Sequence, residues 1–339
     1  MKTLEPYKFN IDTVEYFYPA EKGKIVYWVG DFNDWQAVDQ IPYDKKRKGY
    51  IFKMPAYSHG IYFYKWVVDG EWILDPNNKE SYQNGAFGTN SVAKMPDFIE
   101  NFEVQKLENV AKGKIEKFTV QSKRLKDERE VFVYTPASYD PDKVYPLLVL
   151  QDGRECVELF PADQVLDNLI HYKVCSEFIC VLVSPKSSAA REDDYTFNDK
   201  FEHFLAIELI TWLNGKYKIS PNRNQRAIFG YSLGSLVSVR TAIHYPRVYG
   251  MFGGESSAFW PNDGQIYKEM REQAPFDSKI YLGVGFFDGG EKLTALMGDF
   301  LQDLGICHQI RYSLGGHEWY YWKSHCRYSL QYFFPYRPS

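Results

Sequence analysis

Gly230-Tyr231-Ser232-Leu233-Gly234 is the stretch that decides how this chain folds. The apolar run Ala227-Ile228-Phe229 precedes it, and a helix-forming stretch over residues 235–242 follows it. A serine between glycines, where a strand turns into a helix, makes a nucleophile elbow. The turn is so tight that glycines are needed on either side, and it lifts the hydroxyl clear at the carboxyl edge of a sheet. The same turn aims the Leu233 amide and the start of the helix at one point, which is half of an oxyanion hole.

Outward from the elbow, the sequence supplies the sheet. Residues 145–151 and 178–184 are short apolar runs of buried-strand type, with a helical period over 162–171 between them. Residues 114–120 and 129–135 read as strands. Residues 201–217 read as a helix with apolar side chains at 201, 204, 205, 209, 212 and 213. Beyond the elbow come a helix ending near His244-Tyr245-Pro246, a strand over 279–285, a helix over 291–304 and a last strand over 308–312. Alternating strands and helices, with strands apolar throughout, predict an α/β domain whose mostly parallel sheet carries helices on both faces.

The first part of the chain is organised differently. Residues 25–30, 49–54, 60–68 and 71–74 are short strands without helical period, and Asp69-Gly70 is a hairpin turn. They predict a small immunoglobulin-like β-sandwich. The expected organisation is a sandwich over 1–96, a linker over 97–112 and the α/β domain over 113–339.

An elbow requires an acid and then a histidine, each at the end of a later strand. Asp288 comes first off strand 279–285, and Glu291 is the competing acid. His317, in Leu314-Gly315-Gly316-His317-Glu318, is the one histidine of seven in a glycine-flanked loop after the last strand; His308 and His325 read as surface or core residues. In such a triad the histidine takes the serine proton and returns it to the leaving group, while the acid fixes the tautomer. The second oxyanion amide should come from Gln151-Asp152-Gly153-Arg154-Glu155, from either Gly153 or Arg154. The Arg154 side chain has two readings, a contact to an anionic substrate and a surface salt bridge. Trp260 and Trp319 are expected near the triad as substrate-binding residues.

Composition narrows the class. A chain of 339 residues suits two domains. A net charge of -4 argues against a nucleic-acid or anionic-membrane partner, and no run approaches the ~20 apolar residues of a membrane span. Five cysteines, scattered and without a CxxC, fit a reducing cytoplasm and exclude a disulfide scaffold or a Cys-based zinc site. Residues 1–6 carry no signal-peptide pattern, so a cytoplasmic location is expected. Neither metal nor cofactor is expected. An aromatic share of 17% suits sugar-stacking surfaces and aromatic-rich β cores equally.

Residues 113–335 resemble the "Putative esterase" family, which holds enterochelin esterases, feruloyl and acetyl xylan esterases and S-formylglutathione hydrolase. The resemblance rests on Pro146-Leu147-Leu148-Val149-Leu150-Gln151-Asp152-Gly153, the elbow, Gly283-Val284-Gly285-Phe286-Phe287-Asp288 and Gly315-Gly316-His317-Glu318. Asp152-Gly153 looks most like the enterochelin-esterase branch; Ser235 departs from it where many members carry a further glycine. The resemblance implies an α/β-hydrolase fold and a serine esterase working through an acyl-enzyme.

Residues 14–95 resemble the glycogen-binding early-set modules of carbohydrate-binding family 48. The matching stretches are Gly30-Asp31-Phe32-Asn33-Asp34-Trp35, Tyr64-Lys65-Trp66-Val67-Val68-Asp69-Gly70-Glu71-Trp72, Asp75-Pro76 and Gly88-Thr89-Asn90-Ser91-Val92. The glucan-contacting positions of that family fall on Trp35, Lys65, Trp72 and Asn90. The other implied role is a spacer that shapes the active-site mouth. The ester substrate stays open between a siderophore lactone and an acylated saccharide, with glucan a candidate partner. A glycan-binding protein on an inactive hydrolase domain is the non-enzyme alternative, against which the complete Ser232, Asp288 and His317 set argues.

Overall fold

The structure, a computed structural model, describes residues 7–9, 13–55, 60–85, 88–96, 98–274 and 276–337. The chain divides into two compact units. The first is residues 1–100 with 286–289 and 314–318; the second is 101–285, 290–313 and 319–339.

Among the described residues, the first unit has nine strands: β1 (Tyr7–Phe9), β2 (Thr13–Tyr18), β3 (Val26–Gly30), β4 (Tyr43–Asp44), β5 (Gly49–Pro55), β6 (Ile61–Val68), β7 (Glu71–Ile73), β8 (Ser81–Gln83) and β9 (Thr89–Lys94). One sheet runs β1-β2-β5-β4 and the other β3-β6-β9-β8, with β7 paired to β6. All the pairings are antiparallel. The β6–β7 hairpin turns at Asp69 and Gly70, whose φ values of 51° and 88° give the left-handed pair that a two-residue turn needs. Much of the aromatic surplus is spent on the core, where Trp28 stacks on Phe52 with centroids 4.4 Å apart and Tyr16, Tyr62, Tyr64 and Trp66 are buried around them. Alternation along β6 sends Tyr62, Tyr64 and Trp66 into that core and leaves Phe63 and Lys65 on the opposite face.

The second unit holds an eight-stranded sheet of β10 (Lys114–Ser122), β11 (Asp127–Thr135), β12 (Leu147–Gln151), β13 (Ile179–Val183), β14 (Arg226–Tyr231), β15 (Met251–Glu255), β16 (Lys279–Phe287) and β17 (His308–Gly316), in the order β10-β11-β13-β12-β14-β15-β16-β17. The last residues of β16 and β17 count with the first unit. Pairing is antiparallel through β10, β11 and β13 and parallel from β13 through β16. Strands β12, β13 and β14 are buried along their whole length, as a sheet covered on both faces demands.

The helices are α1 (Gly153–Glu158), α2 (Ala162–His171), α3 (Arg191–Tyr195), α4 (Asp199–His203), α5 (Leu209–Asn214), α6 (Leu233–His244), α7 (Pro261–Gln273), α8 (Glu291–Asp303) and α9 (Trp319–Phe333). The helix expected over 201–217 is α4 and α5 joined by a π-helical turn, Phe204–Glu208, and it stops before Gly215.

Several elements are absent from the sequence reading, β15 and α7 among them. Strand β15 contains Gly253-Gly254, which reads as loop. The glycine at 254 is instead a packing requirement, because a Cβ there would sit 2.2 Å from Ser235 on α6. Helix α7 opens through left-handed Asn262, Asp263 and Gly264, which hide its period.

Candidate active site

Ser232 sits between β14 and α6 with φ 56° and ψ -123°, the strained conformation of an elbow. Gly230 makes it possible: a Cβ there would meet the Gly234 carbonyl at 2.4 Å. The strained residue is bonded on both sides. Its N–H donates to the Glu255 carbonyl at 3.1 Å, and its own carbonyl accepts from Ser235 at 3.0 Å and Ala258 at 3.3 Å. Tyr231 beneath it stacks on Trp322 at 4.9 Å and meets Trp319 edge-on at 5.4 Å. Leu233 is the first residue of α6, so its amide belongs to the positive end of the helix dipole.

The loop after β12 is held as firmly. Asp152 is left-handed at φ 59° and buried. Arg191 grips it with both arms, Nε to Oδ1 at 2.6 Å and Nη2 to Oδ2 at 2.8 Å, and Nη2 also reaches the Tyr231 carbonyl at 3.3 Å. The Asp152 N–H donates to the Tyr195 hydroxyl at 2.9 Å. One guanidinium therefore ties this loop to the residue before Ser232. Gly153 opens α1 against β13, where a Cβ would meet Leu182 backbone at 2.7 Å. The Arg154 guanidinium pairs with Glu130 at 2.9 Å, the surface salt bridge of its two readings. Trp319 is 4% exposed and spends its ring on Tyr231 and Trp322. Trp260 is 60% exposed and borders an open groove with Phe259, Tyr267 and Leu296.

In the first unit, His317 Nδ1 lies 3.1 Å from Asp288 Oδ2, with the carboxylate side chain 3% exposed and the imidazole 30%. Residues of the sandwich seat both segments. Phe287 packs on Phe32 at 5.0 Å and on Tyr62 at 5.6 Å, and Asn84 Nδ2 donates to the His317 carbonyl at 3.4 Å. Glu318 Oε1 accepts the Gly316 N–H at 3.1 Å.

A cavity of about 470 Å³ opens here, and its wall combines two sets of residues that the sequence separates. Trp35, Lys65, Trp72 and Asn90 line it together with Asp288 and His317. Lys65 projects from the outward face of β6, and burial lowers the affinity of its amine for a proton. Asp31, Asp34, Phe63, Asn84 and Glu318 complete much of the wall. Of these, Asp31, Asp34 and Glu318 lie inside the quoted sequence patterns, but nothing local gives them a task. Arg191 has no sequence signal at all, since its contact to Asp152 spans 39 residues.

Residues 122–327 match the family model described as Putative esterase. Residues 7–94 match the model described as Glycogen recognition site of AMP-activated protein kinase. Among curated proteins, YjcH of Bacillus subtilis is 27% identical over 142 residues, 41% of this chain and 59% of its own length, so the match spans less than two thirds of that relative. An endo-1,4-beta-xylanase/feruloyl esterase of Xylanibacter ruminicola is 24% identical over 211 residues, 57% of this chain and 28% of that protein. Among solved structures, the ferric enterobactin esterase of Salmonella typhimurium matches with a TM-score of 0.78 at 17% identity, covering 95% of this chain and 93% of that one. A CE1 ferulic acid esterase from Anaeromyces mucronatus matches with a TM-score of 0.55 at 23% identity, covering 67% of this chain and 93% of that one. The fold is thus an enterochelin-esterase-like α/β-hydrolase preceded by a carbohydrate-binding-module-like sandwich.

Proposed function

This chain belongs to the Putative esterase family, and from that membership we propose that it hydrolyses carboxylic esters with Ser232 as nucleophile, His317 as general base and Asp288 as the orienting acid. The observation that carries the assignment is the 3.1 Å contact between His317 Nδ1 and Asp288 Oδ2. That bond keeps the proton on Nδ1 and leaves Nε2 to accept one. Ser232 Oγ attacks the ester carbonyl carbon while His317 Nε2 takes its proton. The Leu233 amide, with that of Gly153 or Arg154, stabilises the oxyanion, each donor contributing roughly 3 kcal/mol. The C–O bond breaks, the alcohol leaves with the proton from Nε2, and water repeats the sequence on the acyl-enzyme. A fluorophosphonate should label Ser232, and p-nitrophenyl acetate should give a burst of p-nitrophenol. Ser232→Ala should lose both and keep its fold, since the elbow presents the side chain outward. Retained turnover in Ser232→Ala rejects the assignment.

The substrate class that the cavity favours is an ester of a saccharide. Two indole rings can stack on sugar faces while Lys65 and Asn90 bond hydroxyls. The wall is rich in carboxyl groups, with Asp31, Asp34, Asp288 and Glu318 against the single lysine Lys65, and that disfavours a polyanion. The alternative, a catecholate trilactone, draws on the likeness to enterobactin esterases over nearly the whole chain. Parallel hydrolysis of a feruloylated oligosaccharide and a catecholate trilactone separates the two by kcat/KM.

A further inference from the structure

Two carboxyl side chains are buried beside His317. Asp31 is 2% exposed and Glu318 4%. Asp31 opens the short 3-10 turn after β3, and its Oδ2 accepts the Phe63 N–H at 2.7 Å. The Trp35 side chain donates to it as well. Glu318 reaches back to the Gly316 N–H. The two acids converge on Gly316: a Cβ built there would lie 2.6 Å from Glu318 Oε2 and 3.0 Å from Asp31 Oδ1. Glycine at 316 is what leaves room for both.

The charged and titratable groups around them are Asp34, Lys65, Asp288 and His317, which line the same cavity. Among the described residues, neither Asp31 nor Glu318 has an ion-pair partner. Burial raises Asp31 to about 7. Burial first, and then the charges of Asp31 and Asp288, hold Glu318 well above the ordinary carboxylate range. Two desolvated acids that converge on one glycine disfavour each other's charge, so ionising both at neutral pH is opposed by burial and by repulsion together.

We propose that Asp31 and Glu318 hold one proton between them and through it fix the Gly316-His317-Glu318 turn, which makes both of them positioning residues for His317. The inference rests on the reading of His317 as general base. It gives a residue of the sandwich a part in catalysis that does not depend on sugar binding. Loss of the shared proton at high pH sets two carboxylates against each other and displaces the turn, so activity falls on the alkaline side.

The test uses the full chain with p-nitrophenyl acetate, too small to need the saccharide wall. Asp31→Asn keeps an amide that can hydrogen-bond Glu318 in either protonation state and carries no charge to oppose it, so kcat should stay near the wild-type value and the alkaline fall should disappear. Asp31→Ala removes the bridge and should lower kcat by about 10²-fold with KM little changed, the usual effect of a misplaced catalytic group. Wild-type kcat and pH profile in Asp31→Ala, or an undiminished alkaline limb in Asp31→Asn, overturn the proposal.

Should Asp31→Ala not fold, Asp31→Asn and Glu318→Gln carry the test by infrared difference spectroscopy at neutral pH. The C=O stretch of one protonated carboxyl, present in the wild type, should shift in frequency in each variant, because burial keeps the remaining acid protonated while the partner of its O–H changes from a carboxylate to an amide. A band absent from the wild type, or unshifted in both variants, overturns the shared proton. That measurement needs no substrate, so its failure is distinct from failure of the esterase reading, which would show as an inert wild type.

Discussion

His317 Nδ1 faces Asp288 Oδ2 at 3.1 Å, whereas Glu291, the rival acid three residues on, opens α8. A carboxylate in the first turn of a helix complements the helix dipole. Asp288→Asn should therefore lower kcat by about 10⁴-fold through the wrong imidazole tautomer. Glu291→Gln should leave kcat unchanged and cost about 0.5 kcal/mol of stability. Steady-state kinetics on p-nitrophenyl acetate and a thermal melt check both; the reverse order of effects makes Glu291 the triad acid.

Arg191 should matter out of proportion to its position at the start of the short helix α3. Its removal leaves the Asp152 charge buried and alone, which costs about 3–5 kcal/mol where a buried pair is broken. Arg191→Ala should lower Tm and, by loosening the loop that carries Gly153 and Arg154, reduce kcat more than it raises KM. Arg191→Lys should recover little, because an ammonium cannot bond both carboxylate oxygens and the Tyr231 carbonyl in one plane. A full recovery by lysine would show that charge alone holds the loop.

Trp35 and Trp72 should govern saccharide esters and spare small ones. Losing one stacking ring is expected to raise KM for a feruloylated oligosaccharide by about tenfold, equivalent to ~1.4 kcal/mol. A soluble glucan oligosaccharide should compete with that substrate in the wild type and not in Trp72→Ala. Equal KM values across wild type and both variants would leave the sandwich a spacer at the mouth.

His325, a rival histidine in the sequence, instead bonds the Tyr321 carbonyl through Nδ1 at 2.9 Å within α9. Burial pulls it down to about 4, against about 6.5 in an unfolded chain. Between those values the unfolded chain binds the extra proton, so stability falls as pH drops from about 6.5 towards 4. His325→Gln has no such group to protonate. Its Tm should decline less than that of the wild type between pH 7 and pH 5, and parallel declines would remove His325 as the cause.

What the sequence reveals, and what it hides, follows from the range of the interactions. The elbow is legible because Gly230 and Gly234 meet within five residues. The Asp288–His317 contact is legible as the ends of two late strands. The core strands are legible because β12, β13 and β14 are apolar without interruption. Strand β15 is not, since its Gly253-Gly254 pair answers to the approach of α6 rather than to local propensity. The grip of Arg191 on Asp152 and the convergence of Asp31 and Glu318 on Gly316 are long-range facts with no local pattern. The shared wall of Trp35, Lys65, Trp72 and Asn90 with the Asp288–His317 pair is hidden for the same reason: the two sets lie far apart along the chain.

The seat of Phe287 between Phe32 and Tyr62 also sets an order of events at the ribosome. Domains generally mature from the N-terminus as synthesis proceeds, but this sandwich contains residues 286–289 and 314–318. Its strands can pair early, while the ring faces that receive Phe287 stay uncovered until that residue, more than two hundred positions after Tyr62, has emerged. A nascent chain stalled before residue 286 would thus present an open aromatic surface, a natural client for a chaperone and a natural seed for aggregation.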